Sequence, residues 1–440
     1  MMNSINGNVE NVYNFIDNRI LNNKLGIIKD IFTWLPAPDD ARVFLAAAIS
    51  QDMSRVGVKV STSFNSGAGL TLKQAVYAAV GETIERYCSA FIDKEELIFS
   101  SYKELSKHFR CIHPYKFAFY HENQYKDENF MFKKFEPDTW INWGKMISLD
   151  SGEDYYIPAP VIYLPYLPES KEDLIWYPVS TGLSCALSLE EAVLKGIYEV
   201  IERDAFTIVW YNKLKLPKID LFSNKEIADL YKKYFEIPGC EYTLVDMTLD
   251  TGIPTVLGIL NDVRGGILIA AATRLSMKDA ILKTLIELSQ GRISWKEDFV
   301  SGSNLQFKKD FSDIRDFHSR VMLYTKIEMK KHMDFLLKND EYVEILDDKR
   351  ETVTEELKIT KAKVERLGYR IFYKDMTTED IRATEYRVAR VVIPGFSEIT
   401  NDHVLPRVGG DRIYTVPVKL GLRKNEITFS TLNNVPHPFP

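Results

Sequence analysis

Three stretches of the chain repeat one pattern of apolar and polar positions. Leu70–Arg86 (LTLKQAVYAAVGETIER), Leu187–Arg203 (LSLEEAVLKGIYEVIER) and Leu275–Gln290 (LSMKDAILKTLIELSQ) align residue for residue. Each opens on Leu, then Thr or Ser, then Leu or Met. Each sets Ala and a β-branched residue at matching places (Ala75-Val76, Ala192-Val193, Ala280-Ile281), and each closes on Glu-x-x-Glu or Glu-x-x-Gln. All three start as helices start. Thr71, Ser188 and Ser276 are N-caps, and Gln74, Glu191 and Asp279 stand three residues on, where a capping box places its returning side chain. SFNSGAG (63–69) precedes the first copy and STGLSCA (180–186) the second. The spacing of the copies is too irregular for a solenoid and predicts an internal duplication or a symmetric core.

Between these helices lie strand-like runs: EYTLVDM (241–247), TVLGIL (255–260), GGILIAAAT (265–273) and RVARVVIPG (387–395). Strands alternating with helices predict an α/β or α+β body. Residues 1–60 read as an N-terminal segment available to a partner. Residues 101–145 are richer in aromatic and charged residues and read as an insertion or subdomain. Residues 310–368 read as mainly helical, with KIEMKKHMDFLLKNDEYVEIL (326–346) the clearest part.

Composition narrows the function classes. The 440 residues are 45% hydrophobic and 27% charged, with a formal net charge of −6, which is the make-up of a globular protein. No basic block is present, so nucleic acid is not an expected partner. No signal peptide and no membrane-spanning run is read. The four cysteines are widely spaced and suggest no disulfide framework, so a reduced, cytoplasmic protein is expected. His108, Cys111 and His113 match no zinc spacing.

The glutamates at the helix ends carry the candidate chemistry. At about 100° per residue, Glu82 and Glu85 project about 60° apart, and Glu191, Glu199 and Glu202 share one stripe about 80° wide. Two readings stand. Glu191–Lys195–Glu199–Arg203 is a ladder of i,i+4 pairs, as found on solvated faces. Against that, Glu85 and Glu202 have no basic residue at i±4, and the helix around Glu202 is apolar on nearly every side (Val193, Ile197, Val200, Ile201, Ala205, Ile208, Val209, Trp210). Buried carboxylates are paired or hold metal. Carboxylates converging from several helices without Cys or His suit Mg2+, whose shell phosphates complete, and so point to a nucleotide. No P-loop and no kinase motif set occurs.

Taken together these segments resemble the YcaO family. The residues that carry the resemblance are GETIER (81–86), EAVLKGIYEVIER (191–203) and ELSQGR (287–292). VVIPGFSEI (391–399), LPRVGGDRIY (405–414) and the closing VPHPFP (435–440) extend it. No single piece is specific; the combination is. The resemblance covers about residue 60 to the end and implies a YcaO-type catalytic domain over 61–440, with a Pro-rich tail at 435–440. It implies ATP and Mg2+ as cofactors, with Glu82, Glu85, Glu191, Glu199, Glu202, Glu287, Gln290 and Arg292 binding the nucleotide and Glu82, Glu85, Glu199 and Glu202 holding the metal. Many relatives read Gly-Lys-Gly in the first loop, where this chain has Ala68; Lys59 is the candidate substitute.

A tail of this kind is similar to that of the cyclodehydratases that form azolines in peptides. The implied reaction is attack of a Cys, Ser or Thr side chain on the preceding amide carbonyl, phosphorylation of the oxyanion by ATP and loss of phosphate. Pro436, His437, Pro438 and Pro440 are its implied catalytic tail residues, stiffened by alternating proline. With about 60 residues ahead of the first motif, a separate leader-binding partner of the E1-like or docking type is expected beside the precursor peptide. An FMN-dependent dehydrogenase acting afterwards and a homodimer are expected from the resemblance alone. Thioamide or amidine formation is the alternative with the same ATP chemistry; a non-enzymatic scaffold is the alternative that the glutamate set argues against.

Overall fold

The computed structural model describes residues 16–439 apart from 18, 118, 265, 302–304 and 349. Three sheets share the chain. The first has the order β1 (Ile28–Trp34), β2 (Phe44–Ser50), β3 (Phe64–Gly69). The second is built from β4 (Ile98–Ser101), β5 (Trp140–Ser148), β6 (Asp154–Pro158), β7 (Leu183–Ala186), β13 (Phe372–Asp375) and β14 (Arg387–Val392), in the order β4-β5-β13-β14-β7 with β6 on β5. The third is built from β8 (Lys218–Asp220), β9 (Cys240–Asp246), β10 (Thr255–Asp262), β11 (Ile267–Thr273) and β12 (Tyr342–Glu344), in the order β11-β10-β9-β8-β12.

The repeated segments become the three long helices: α1 (Leu72–Ser89), α2 (Leu189–Asn212) and α3 (Met277–Ser301). Thr71 and Gln74 form the capping box, and Ser188 caps α2 through the Glu191 N–H. Each helix follows directly on a strand (β3, β7 and β11), and each of those strands is the terminal strand of its sheet. Each helix packs on its own strand and on the next unit's: α1 on β3 and β7, α2 on β7 and β11, α3 on β11 and β3. The symmetric core expected from the repeat is therefore a closed ring of three strand–helix units.

Small residues let the ring close. A Cβ at Gly67 on β3 would collide with the Ala79 amide and lie 2.6 Å from the Ala75 carbonyl of α1. The matching residues on β7 and β11 are Ser184 and Ala272. Gly67→Ala is expected to lower stability by about 1–3 kcal/mol through overpacking, read as a fall in the urea midpoint at unchanged slope. On β11, Ile267, Ile269 and Ala271 face the core shared with Phe206 and Val209 of α2, while Leu268 and Ala270 face Ile281, Leu285 and Leu288 of α3.

Three expectations change. Residues 101–145, expected as an insertion or subdomain, share their core with α1. They supply the first part of β5, and Phe117, Phe119, Tyr120, Phe132 and Phe135 lie in the core beneath α1. The run 326–346 is not one helix. It divides into a 3-10 segment (Ile327–Met333), a single α turn (Asp334–Leu337) and β12. The first sheet also joins residues 28–50 to β3, across the boundary expected near residue 60.

Candidate functional site

The inner ends of the three units enclose a cleft of about 1100 Å³. Glu82, Glu85 and Arg86 enter it from α1, Glu191, Lys195, Glu199, Glu202 and Arg203 from α2, and Lys283, Glu287 and Gln290 from α3. With Arg274, six carboxylates and five cations line one space. Glu82, the first Glu of the α1 pair, lies within electrostatic reach of its equivalents Glu199 on α2 and Glu287 on α3.

The glutamates that lack an i±4 base find one next door. Arg86 Nη1 lies 2.6 Å from Glu85 Oε1, and its Nη2 lies 3.4 Å from Glu82 Oε1. Arg203 lies 3.6 Å from Glu202 and 3.7 Å from Glu199. Counting only helical neighbours missed these contacts, because a long guanidinium folds back along its own turn. Lys195 pairs with Glu191 at 2.8 Å, and Lys283 with Glu287 at 2.9 Å. The Gly182 N–H donates to Glu199 Oε2 at 3.1 Å, and the Gln290 amide donates to Ser66 Oγ at 3.0 Å, tying α3 to β3.

Burial dominates the titration of this group. It raises Glu85 to about 7 and Glu202 to about 8, with Arg86 and Arg203 opposing and neighbouring glutamates adding to the rise. Glu82 is raised for the same first reason. Burial penalises the ionised carboxylate, and a bound cation would offset that penalty. Among the described residues no three acidic, His or Cys side chains form a ready-made cage. The donors on offer, oxygens from three helices around a roomy cleft with cations between them, fit Mg2+ whose remaining ligands are phosphate and water.

Arg292 stands elsewhere. It projects about 140° round α3 from Glu287, away from the cleft, and is buried against Asp40 (2.6 Å) and Asp262 (3.0 Å). Its role is structural: it locks α3 to β10 and to the loop before β2. Lys59 also lies outside the cleft wall.

The tail follows α2. The Trp210 indole donates to the Val435 carbonyl at 3.0 Å and the Tyr324 hydroxyl to the Pro436 carbonyl at 2.6 Å. His437 is buried beside Arg320, whose Nη1 is 2.7 Å from Nε2. Burial, reinforced by Arg320, holds that imidazole well below its usual value, so it is neutral at pH 7. Pro436 and His437 are thus anchors, whereas Pro438 and Phe439 reach the cleft wall, Phe439 lying 4.4 Å under the Arg203 guanidinium. Pro440 lies outside the described residues.

Sequence reasoning missed the aromatic walls, Tyr77, Tyr386, Trp295 and Phe317: Tyr77 stands in the first repeat where the other copies have Leu194 and Leu282, and the other three lie outside the repeats. It also missed the cations as a set, although Arg86 and Arg203 recur at the same place in two copies.

A family model described as YcaO cyclodehydratase, ATP- and Mg2+-binding, matches residues 66–397. An uncharacterized protein of Methanothermobacter thermautotrophicus is 27% identical over 361 residues, covering 78% of this chain and 84% of its own. The fold is similar to that of a heterocyclase solved in complex with substrate and cofactor (21% identity, TM-score 0.79), covering 98% of this chain. This chain spans only 57% of that one. It is also similar to a YcaO from Methanopyrus kandleri bound with AMPPCP and Mg2+ (20% identity, TM-score 0.64), covering 91% of this chain and 94% of that one.

Proposed function

The chain belongs to the YcaO family, and from that premise we propose that it is an ATP-dependent peptide cyclodehydratase, closing Cys, Ser or Thr side chains of a precursor peptide into thiazolines or oxazolines. ATP and Mg2+ are its cofactors. The observation that carries the reading is the meeting of the glutamates of α1, α2 and α3 with Pro438 and Phe439 at one cleft. Such a cleft joins a nucleotide site to the tail that the resemblance associates with ring closure.

Bound Mg2+–ATP supplies the phosphoryl group that turns an amide oxygen into a leaving group. This chain's residues do the rest by binding and positioning. Glu82, Glu85, Glu199 and Glu202 would hold the metal, with Glu191, Glu287 and Gln290 beside them. Arg86, Lys195, Arg203, Arg274 and Lys283, which line the same cleft, would meet the phosphates and make up for the absent lysine at Ala68. Arg292 acts through α3 as a positioning residue. Pro436 and His437 fix the tail, so that Pro438 and Phe439 border the reacting peptide and keep water out. A separate leader-binding protein presents the precursor.

Incubation with Mg2+–ATP, that partner and a precursor rich in Cys, Ser and Thr is expected to yield peptide lighter by one water per ring, with ADP and phosphate. ATP turnover at unchanged peptide mass rejects cyclodehydration.

The titration gives a second expectation. Mg2+ needs ionised carboxylates, and Glu85 and Glu202 keep protons up to about 7 and 8. Affinity for Mg2+–ATP should weaken as pH falls from 8 to 6, by up to about tenfold per unit for each displaced proton. Calorimetry in buffers of different ionisation enthalpy reads that proton release directly. Without ligand the sign reverses. The folded state binds more protons than the unfolded one between the ordinary carboxylate value of about 4.3 and about 8, so stability falls as pH rises through that window.

A further inference from the structure

The strands of the cleft wall present their edges. Leu268 to Ala272 line the cleft as five consecutive residues, whereas successive side chains of a strand point to opposite faces. The wall here is therefore main chain. On β11 the even-numbered residues bond toward β10: the Arg274 N–H donates to the Pro254 carbonyl at 3.0 Å and the Asp262 N–H to the Gly266 carbonyl at 3.3 Å. Main-chain groups alternate in direction along an antiparallel ladder, so Ile267, Ile269 and Ala271 face outward. The Ile267 N–H does so, donating to the Tyr324 carbonyl at 2.9 Å. Among the described residues, the N–H and C=O groups of Ile269 and Ala271 have no partner. Unpaired main-chain groups away from bulk water need one.

The other two edges are less free. Gln290 reaches across β3 to Ser66. On β7 the Leu183 N–H is taken by the Ser180 carbonyl at 2.8 Å, which leaves Cys185 alone. The β11 edge also begins beside the tail, since Tyr324 holds both Ile267 and Pro436. Ala270, Ala271 and Ala272 keep it open to close approach.

We propose that the β11 edge is the subsite for the substrate's main chain: an extended peptide pairs with Ile269 and Ala271 as an added strand. The idea rests on the peptide reading above and names where that peptide lies. Outward groups two residues apart repeat every ~6.6–6.8 Å, the repeat of an extended chain. Affinity then comes from backbone hydrogen bonds common to every sequence. Such a site holds the amide, which is the reacting group, without demanding particular side chains around it.

The probe is a synthetic eight-residue peptide of Gly and Ala with one central Cys, added at millimolar concentration to the whole protein with Mg2+ and a non-hydrolysable ATP analogue. Hydrogen exchange at single-amide resolution is expected to slow at least about tenfold at Ile269 and Ala271. Leu268, Ala270 and Ala272, already paired to β10, should not change. N-methylation of the two peptide amides that pair with the edge should remove the effect. Ala271→Pro takes away one edge N–H where proline is tolerated; it should raise the peptide KM about tenfold or more and leave ATP affinity unchanged. Slowing by the nucleotide analogue alone overturns the proposal and assigns the edge to the nucleotide. Absence of slowing at millimolar peptide overturns it whether or not rings form. Edge protection without ring formation under ATP supports the subsite and rejects cyclisation, so the two readings fail separately.

Discussion

Glu202→Gln is expected to lower ATP turnover and ring formation by about 10²–10³-fold, the scale of losing one electrostatic contact to a transferring group. Glu202 is buried on α2, raised to about 8 by its surroundings, and stands 3.6 Å from Arg203. Gln keeps its shape and hydrogen-bonding oxygen and removes only the charge. A structural role would make the change harmful to the fold. A metal-holding role predicts the reverse without ligand, because an awkward buried acid becomes a neutral amide. The variant should therefore melt at the same temperature as the parent or higher in the absence of Mg2+–ATP, and should gain less from adding it. Normal ATP use by the variant rejects the assignment; lost activity with a lower ligand-free melting temperature makes Glu202 a structural residue.

Much of this site was legible because it is written more than once. Caps and apolar spacing recur in three copies, with Glu-x-x-Glu in two and Glu-x-x-Gln in the third, and copies of one pattern settle both helix type and the shared face. The four strand runs were legible as short segments rich in apolar and β-branched residues. The failures share a cause, which is distance along the chain. Residues 326–346 look helical locally, yet Asn339 donates to the Leu216 carbonyl, and Tyr342–Glu344 pairs in parallel with β8; tertiary pairing overrides propensity there. The aromatic residues of 101–145 have no period because they cover a core built by other segments. Arg292 sits two residues after Gln290 in the motif, and only its rotation about α3, with Asp40 and Asp262 waiting beyond, shows that it turns its back on the cleft. Asp204 was passed over entirely. It follows Glu202 and Arg203 directly, and nothing in sequence links it to Arg412.

That pair supports the largest expected loss of stability. Arg412 is fully buried, with Nη2 2.8 Å from Asp204 and 2.7 Å from Asp250, and its guanidinium lies 4.2 Å from the centre of the Phe396 ring. Asp204 also accepts the Ser397 N–H at 2.8 Å. This network holds the outer side of α2 to the C-terminal segments while the inner side carries Glu199 and Glu202. Burial pushes the Asp204 carboxyl up, and Arg412 is the main force holding it down. Arg412→Leu leaves two buried carboxylates without their cation, at a cost of about 3–5 kcal/mol. The sign of the pH dependence tests that cause. Once the arginine is gone, Asp204 holds its proton in the folded state to higher pH than in the unfolded chain. The deficit should then grow from pH 5 to pH 8 and shrink again in acid. Adding Asp204→Asn should recover part of it, with a coupling of about 0.5–3 kcal/mol in the double-mutant cycle. A deficit equal at pH 5 and pH 8 would mean that lost packing against Phe396, not stranded charge, is what Arg412 prevents. The helix carrying the glutamates would then be held by shape alone.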